Sequence, residues 1–276
     1  MDQRGDLGEK ESIEEVFNWL APQYDSSFTN VPFGRRQRDV VHRRLFPLLR
    51  PDFRVLELNC GTGHDAVLIA ERGAEVVATD ISSEMIRITA SKAAASSAGN
   101  RIRLRRMAIE DLRSAEVREE LGRFDLIFSD FDGLNCVSDI SWLPEAAEAL
   151  LNPSGQIMLV YINAAWVPIL VGLNKLRRRD RDLQRPEPDR MTWHFGEGHR
   201  VSVFFHGISE VRALFSGRFE ILRTEAVRLV SPPPLMMPLY ERHPKVFDRL
   251  DDFLSPLPPF NRVGQRVLFH MRLKQR

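Results

Sequence analysis

Val55-Leu56-Glu57-Leu58-Asn59-Cys60-Gly61-Thr62-Gly63-His64-Asp65-Ala66 is the stretch that decides the fold. A short apolar run carries an acid near its end. Two glycines one residue apart follow, and then Ala66-Val67-Leu68-Ile69-Ala70 reads as a helix. The order is strand, tight loop, helix N-terminus. Gly61 and Gly63 carry no Cβ, so a ligand can approach the loop backbone closely. The helix behind the loop offers unpaired N–H groups to an anionic ligand group.

Outward from this stretch, strands alternate with helix-length segments. Phe53–Leu58 is the first strand and Asp65–Arg72 the first helix of the alternation, stopped at Gly73. Glu75–Thr79 is a strand ending at Asp80. Ser82 and Ser83 cap a helix from Glu84 to Ser97. Ile102–Met107, Phe124–Phe128 and Gln156–Ile162 are further strands, with a helix over Leu143–Leu151 and a turn at Asn152-Pro153-Ser154-Gly155. Strands joined in this way pair in parallel, with helices on both faces.

The pattern changes after Ile162. Ala164–Lys175 reads as an apolar helix, followed by basic residues over Arg177–Arg181 and a proline- and charge-rich loop. Met191–Phe195 and Arg200–Phe205 alternate around Gly196-Glu197-Gly198 as a β-hairpin. Ser209–Phe215 is a short helix, Phe219–Val230 a sixth core strand, Pro244–Leu254 a helix and Gly264–Leu273 the last strand. On the other side, residues 1–11 are charged and aperiodic and are expected to be disordered. Ser12-Ile13-Glu14-Glu15 resembles a capping box opening a helix that Pro22 and Tyr24-Asp25 end. A second helix over Phe33–Leu49 turns Val40, Val41 and Leu45 inward. Arg35, Arg36, Arg38, Arg43 and Arg44 lie on its exposed side, a solvated face unless one arginine reaches a ligand carboxylate.

Composition excludes several classes. Net charge is +1, so no global attraction to nucleic acid is expected. Two cysteines, Cys60 and Cys136, imply neither a disulfide framework nor a zinc site. Met1–Glu15 is polar and acidic, unlike a signal or transit peptide. The most apolar stretch, Ile157–Leu173, is interrupted by Asn163 and Pro168 and is short for a membrane span. A cytoplasmic protein is expected.

Glu57, Gly61, Gly63 and Asp80 form the first chemical constellation. In a doubly wound sheet the ends of strands one and two are neighbours at the ligand crevice. A carboxylate there, as Asp80 would be, can accept both hydroxyls of a ribose. Gly61-x-Gly63-x-x-Ala66 also fits the dinucleotide fingerprint, so an NAD(P)-dependent oxidoreductase stays open. Glu57 argues for S-adenosylmethionine (SAM) instead: an acid just before the loop repels a pyrophosphate but suits a ligand with a positively charged amino acid tail. So do the two helices before the first strand, which can cap a site.

With these residues in view, the sequence resembles the class I SAM-dependent methyltransferases, within them the small-molecule "type 11" branch. VLELNCGTG matches the first motif of the family, Asp80 in VVATDIS the second, FDLIFSDFDGLNCV the fourth-strand motif and LLNPSGQIML the fifth-strand region. The resemblance covers residues 15–165 well and the C-terminal third loosely. It implies an α/β fold, a Rossmann-like seven-stranded doubly wound sheet with its last strand antiparallel. Residues 1–50 would form an N-terminal helical cap and 51–276 the SAM-binding domain, with 163–215 inserted as a helix and hairpin lid over the substrate. Gly61 and Gly63 would border the methionine and ribose, with Asn59 and Cys60 in the same loop, and Glu57 would orient the methionine amine through that loop. Asp80 would hold the ribose hydroxyls and Ile81 would pack on adenine. The Ile109 backbone would face an adenine nitrogen, Ser129 and Asp130 would lie beside the methionine, and Tyr24 would close over the cofactor.

Three departures from the family matter. Asn59 replaces the usual first glycine and tolerates a left-handed backbone better than most residues. Ala108 stands where many relatives carry an acid, which Glu110 or Asp111 could replace. Asp130 and Asp132 stand where close relatives often have Asn and Gly. Phe131, Asn135, Trp166 and Trp193 are candidate substrate contacts. His194 and His206, on the expected hairpin, are candidate general bases. No metal site is expected: Asp130 and Asp132 lack a third ligand. The 163–181 segment could instead touch a membrane surface, and Pro232–Met237 could line an apolar pocket. The expected activity is methyl transfer to a small, apolar or aromatic acceptor, with a non-catalytic SAM-binding protein as the other alternative.

Overall fold

The computed structural model describes residues 3–166, 190–229, 240 and 242–275, with side chains from Ser12 onward. Nine strands and eight α-helices are described. Strands β1 (Arg54–Leu58), β2 (Glu75–Asp80), β3 (Ile102–Arg106), β4 (Phe124–Ser129), β5 (Leu151–Ile162), β8 (Phe219–Val227) and β9 (Arg266–Leu273) form one sheet in the order β3-β2-β1-β4-β5-β9-β8. β1 to β5 pair in parallel, and β9 runs antiparallel between β5 and β8. β6 (Arg190–His194) and β7 (Arg200–Phe204) form the separate antiparallel hairpin.

The helices are α1 (Gln3–Tyr24), α2 (Pro32–Leu45), α3 (His64–Ala70), α4 (Ser83–Ala95), α5 (Ala115–Leu121), α6 (Leu143–Leu150), α7 (Ile208–Ser216) and α8 (Pro244–Leu254). Strand residues alternate between two faces. Leu56, Leu58, Ile127 and Leu159 pack against α5, α6 and α7. Val55, Leu126, Phe128 and Met158 pack against α2 and α3. Both faces are covered, which is why β1 and β4 read as near-continuous apolar runs. Glu57 shares the parity of Val55, so its carboxylate is directed into the α2/α3 layer.

The strand order reverses between β1 and β4, and Leu58 pairs with Ser129. The loops after these strands therefore leave the sheet side by side, at the position where open α/β sheets bind ligands.

Several sequence expectations change. The helix begins at Gln3, so residues 3–11 are helical rather than disordered, and the Ser12–Glu15 box lies inside the helix instead of opening it. Ser12 Oγ donates to the Arg200 carbonyl at 3.2 Å. Pro22 does not end α1; after Tyr24 the chain continues as a π-helical turn over Asp25–Thr29. The basic side of α2 is not a free solvated face. Arg38 is buried, Arg36 pairs with Asp248 at 3.0 Å and Asp252 at 2.6 Å, and Arg44 forks onto Glu225 at 2.7 and 2.8 Å. The sixth core strand stops at Val227, before Arg228 turns to φ +65°. Most of the expected 164–175 helix, the 177–181 basic cluster and the 232–237 segment lie outside the described residues. Among the described residues, no helix is long and apolar enough to cross a membrane.

Candidate active site

The glycine-rich loop is built by backbone conformations that its residues permit. Asn59, Gly61 and Gly63 all have positive φ (+49°, +55° and +74°). The Asn59 amide group braces the neighbouring loop: its Nδ2 donates to the Asp130 carbonyl, and its Oδ1 accepts from Ser129 Oγ at 2.6 Å. Gly133 lies so close to Asn59 that a Cβ there would come within 2.2 Å of its side chain.

The two loop glycines have different jobs. Gly61 borders the cleft and its N–H donates to Asp80 Oδ2 at 2.9 Å. Gly63 does not line the cleft; a Cβ there would lie 2.3 Å from Thr89 Cγ2, so this glycine lets α4 approach the loop.

Asp80 is fixed at its other oxygen by the Ser82 N–H, also at 2.9 Å. Burial pushes its carboxyl up to about 6, against the pull of these N–H donors. Asn18 of α1 locks the adjacent helix start: its Oδ1 accepts from Ser82 Oγ at 2.7 Å and from the Glu84 N–H at 3.1 Å. The cap helix and the acid-bearing turn are thereby tied together.

These elements line a cleft at the ends of β1, β2 and β4. Asp80, Ile81, Ala108, Ile109 and Glu110 form one side, with Met85 and Met107 behind them. Asn59, Gly61, Phe131, Gly133, Cys136 and Val137 form the other, and Ile13, Phe17 and Tyr24 of α1 close over it. Asp111 is committed elsewhere, accepting the Ala108 N–H at 2.9 Å, so Glu110 is the acid of this segment that borders the cleft.

A charged cluster lies beside the loop, away from the cleft lining. Arg38 pairs with Asp65 Oδ2, and His42 Nε2 meets Asp65 Oδ1 at 2.6 Å. The guanidinium of Arg38 overcomes burial and holds the Asp65 carboxyl well below the usual range. Glu57 and Asp130 are pushed well above it, first by burial and then by the charge of Asp65. Glu57 Oε2 and Asp130 Oδ2 are buried without a hydrogen-bond partner. Arg266 forks onto Asp132, and Arg38 lies 4.7 Å from the Phe131 ring centroid. Asp132 is thus the ion-pair partner of Arg266. His42, His64 and Asp65 bring possible ligand atoms within 4.8 Å of one another, yet both Asp65 oxygens are engaged by Arg38 and His42.

The remaining sequence candidates lie off the cleft. Cys60 is buried within the loop, and Ser129 is buried against Asn59. Asn135 is a brace, not a ligand contact: it donates to the Phe204 carbonyl at 2.7 Å and accepts the Ile162 N–H at 2.8 Å. His206 is buried, with Nε2 placed to donate to the Val137 and Leu134 carbonyls at 3.1 and 3.3 Å, which removes that nitrogen from base duty. His194 is exposed on β6. Trp193 packs in the hairpin cluster, and Trp166 follows β5 without reaching the cleft. Sequence reasoning missed Ile13, Phe17, Met85, Met107 and Val137 as lining residues. The 3.6-residue spacing of Ile13 and Phe17 on one helix face was the available signal.

Residues 55–155 match the family model described as a methyltransferase domain. Among curated proteins the chain is 30% identical over 155 residues to the ubiquinone/menaquinone biosynthesis C-methyltransferase of Geotalea daltonii, covering 54% of this chain and 63% of that one. It is 30% identical over 128 residues to the ubiquinone biosynthesis O-methyltransferase of Xanthomonas axonopodis pv. citri, covering 45% of this chain and 51% of that one. The match thus spans between about half and two thirds of the length of these relatives. Among solved structures, the putative S-adenosylmethionine dependent methyltransferase from Listeria monocytogenes superposes with TM-score 0.59 at 17% identity, over 84% of this chain and 96% of that one. The CcbJ methyltransferase from Streptomyces caelestis gives 0.60 at 16% identity, over 93% and 96%. The DhpI-SAH complex gives 0.60 at 16%, over 98% of each chain. Residues 55–155 thus match a methyltransferase domain, and the chain shares the Rossmann-like α/β fold of these solved structures.

Proposed function

We propose that the cleft binds SAM and that the protein transfers the methyl group to a small, apolar or aromatic acceptor. The observation that carries this is the Asp80 carboxylate, held by the Gly61 and Ser82 N–H groups at the edge of the cleft. A carboxylate so fixed is suited to accept two ribose hydroxyls. Ile81, Met85, Met107 and Ile109 offer apolar surface for an adenine ring. Glu57 Oε2 and Asp130 Oδ2 are buried beside the loop without a hydrogen-bond partner, acceptor positions that suit the amino group of an amino acid tail.

The α3 N-terminus disfavours the dinucleotide reading. Thr62 Oγ donates to Asp25 at 2.7 Å, Asp65 in the first turn is pinned by Arg38, and Gly63 is sealed against Thr89. A pyrophosphate would find this helix start already occupied and acidic.

When bound, SAM supplies an electrophilic methyl on a sulfonium. The chain has to hold the acceptor in line with it, which can lower the barrier by about 7–11 kcal/mol. Ile13, Phe17 and Tyr24 from α1 and Phe131, Cys136 and Val137 opposite them would exclude water and orient the acceptor. Burial raises the Tyr24 hydroxyl above its ordinary range, so it serves as a hydrogen-bond donor rather than a phenolate. Glu110 is the acid bordering the cleft that could take a proton where the acceptor must lose one. The relatives named for ubiquinone biosynthesis support a small-molecule acceptor.

Calorimetry with SAM, S-adenosylhomocysteine and NAD tests the cofactor. The expected result is binding of the first two and no heat from NAD, with Asp80→Ala losing that binding. Unchanged SAM affinity in Asp80→Ala would overturn the assignment. Formation of S-adenosylhomocysteine with a panel of phenolic, amine and quinol acceptors separates an enzyme from a non-catalytic binder.

A further inference from the structure

Large exposed apolar side chains gather in one stretch of the described chain. Phe253 is 69% exposed and Val246 56%, and Leu250, Leu257, Phe260 and Val263 join them; among the described residues only Leu222 is as exposed elsewhere. Val246, Leu250 and Phe253 have the i, i+4, i+7 spacing of one face of α8. Contiguous exposure of this kind marks a contact surface.

The charges of α8 are sorted. Its three aspartates are all engaged. Asp248 and Asp252 pair with Arg36 and Arg43 of α2, and buried Asp251 accepts the Leu229 N–H at 2.6 Å. Lys245 and Arg249, one turn apart, flank the apolar stripe on the outer side, and exposed Arg242 and Arg262 lie in the same stretch. The outward surface therefore combines apolar and cationic groups, while the acids are spent holding the helix to α2.

We propose that this face docks on an anionic membrane surface, with α8 lying in the plane of the interface. Apolar side chains enter the headgroup boundary and the flanking cations meet anionic headgroups. A second copy of this chain fits the surface less well. A two-fold pairing through the same face would gather the Lys245, Arg249 and Arg262 cations of both copies in one interface. The docking needs no membrane-spanning helix and is independent of the cofactor reading.

The test uses the whole purified chain and vesicle co-sedimentation, with no activity assay. Binding to phosphatidylcholine–phosphatidylglycerol vesicles is expected, with weaker binding to phosphatidylcholine alone and loss at high salt. Lys245→Ala and Arg249→Ala each lower the partition coefficient by roughly fivefold. Phe253→Ser also lowers it, while thermal melts remain those of the parent because the side chain is exposed. Phe253→Trp adds to the emission of the four native tryptophans a component that shifts to the blue more strongly with anionic vesicles than with phosphatidylcholine alone. Failure to bind anionic vesicles, or binding that none of these variants weakens, overturns the proposal. So does a concentration-dependent dimer that Phe253→Ser abolishes in the absence of vesicle binding.

Discussion

The Arg38 guanidinium and the Asp65 carboxylate form an ion pair beside the glycine-rich loop, with 6% and 4% of the two residues exposed. The pair joins the second cap helix to the first turn of α3 across 27 residues of chain. Beside the pair lie the buried acids Glu57 and Asp130, on which burial and then the Asp65 charge outweigh the Arg38 guanidinium and hold both carboxyls above the usual range.

Breaking this pair is costly because it strands a buried charge. Arg38→Ala is expected to destabilise the fold by about 3–5 kcal/mol, read as a lowered urea midpoint. Arg38→Met combined with Asp65→Leu recovers much of the loss, since apolar replacement of both partners is often near neutral. If the double variant were as unstable as the single one, the pair would hold the fold through something other than its charges.

Asp80 makes cofactor binding pH-dependent. Its folded carboxyl sits at about 6, above the roughly 3.9 of an unfolded aspartate. Ribose hydroxyls donate to the ionised form, so affinity for S-adenosylhomocysteine is level above pH 7 and falls as pH drops through 6, approaching tenfold per unit. The sign for the unliganded fold is opposite. A raised acid binds its proton more tightly in the folded state, so this group's contribution to stability falls as pH rises from about 4 to about 6. Calorimetric affinity against pH checks the first statement; Asp80→Asn should flatten the curve.

Gly63→Ala meets both a positive φ and the Thr89 side chain. An expected loss of about 1–3 kcal/mol appears as a lower melting temperature. Thr89→Ala in the same chain relieves the methyl and hydroxyl contacts and recovers part of it. Gly61→Ala keeps the backbone strain but meets only Tyr24, at 3.9 Å. Its defect is expected more in cofactor affinity than in melting.

Asn135→Leu removes a buried brace between β5 and β7. It leaves the Ile162 N–H and the Phe204 carbonyl without that partner, which costs roughly 1–3 kcal/mol for each group left unsatisfied. Cofactor affinity, measured well below the melting temperature, should stay at the parent value. A large change in affinity with unchanged stability would return Asn135 to the ligand contacts.

The alternation of strands and helices, the loop at Gly61 and the acid at Asp80 were legible because they depend on local rules. Period, turn chemistry and the neighbourhood of adjacent strand ends are written in short windows of sequence. The same rules placed the hairpin and the helix at Pro244–Leu254 within a residue or so. They failed where a long-range partner changed a residue's meaning. Arg38 looks like its exposed neighbours in the helix pattern, and only the packing of α2 on α3 makes it a buried counter-ion. His206 and Asn135 have the chemistry of a base and a ligand contact, but both are taken up by backbone groups far away in sequence. Gly63 satisfies the motif, yet its lost Cβ serves Thr89.

By itself, then, the sequence determined the sheet, the loop and the cofactor-side acid, since each follows from the conformational preferences of contiguous residues. Only the tertiary structure decided which charges are paired, which apolar residues wall the cleft and which remain exposed on α8. Those outcomes depend on the desolvation and partners that arise when distant segments meet.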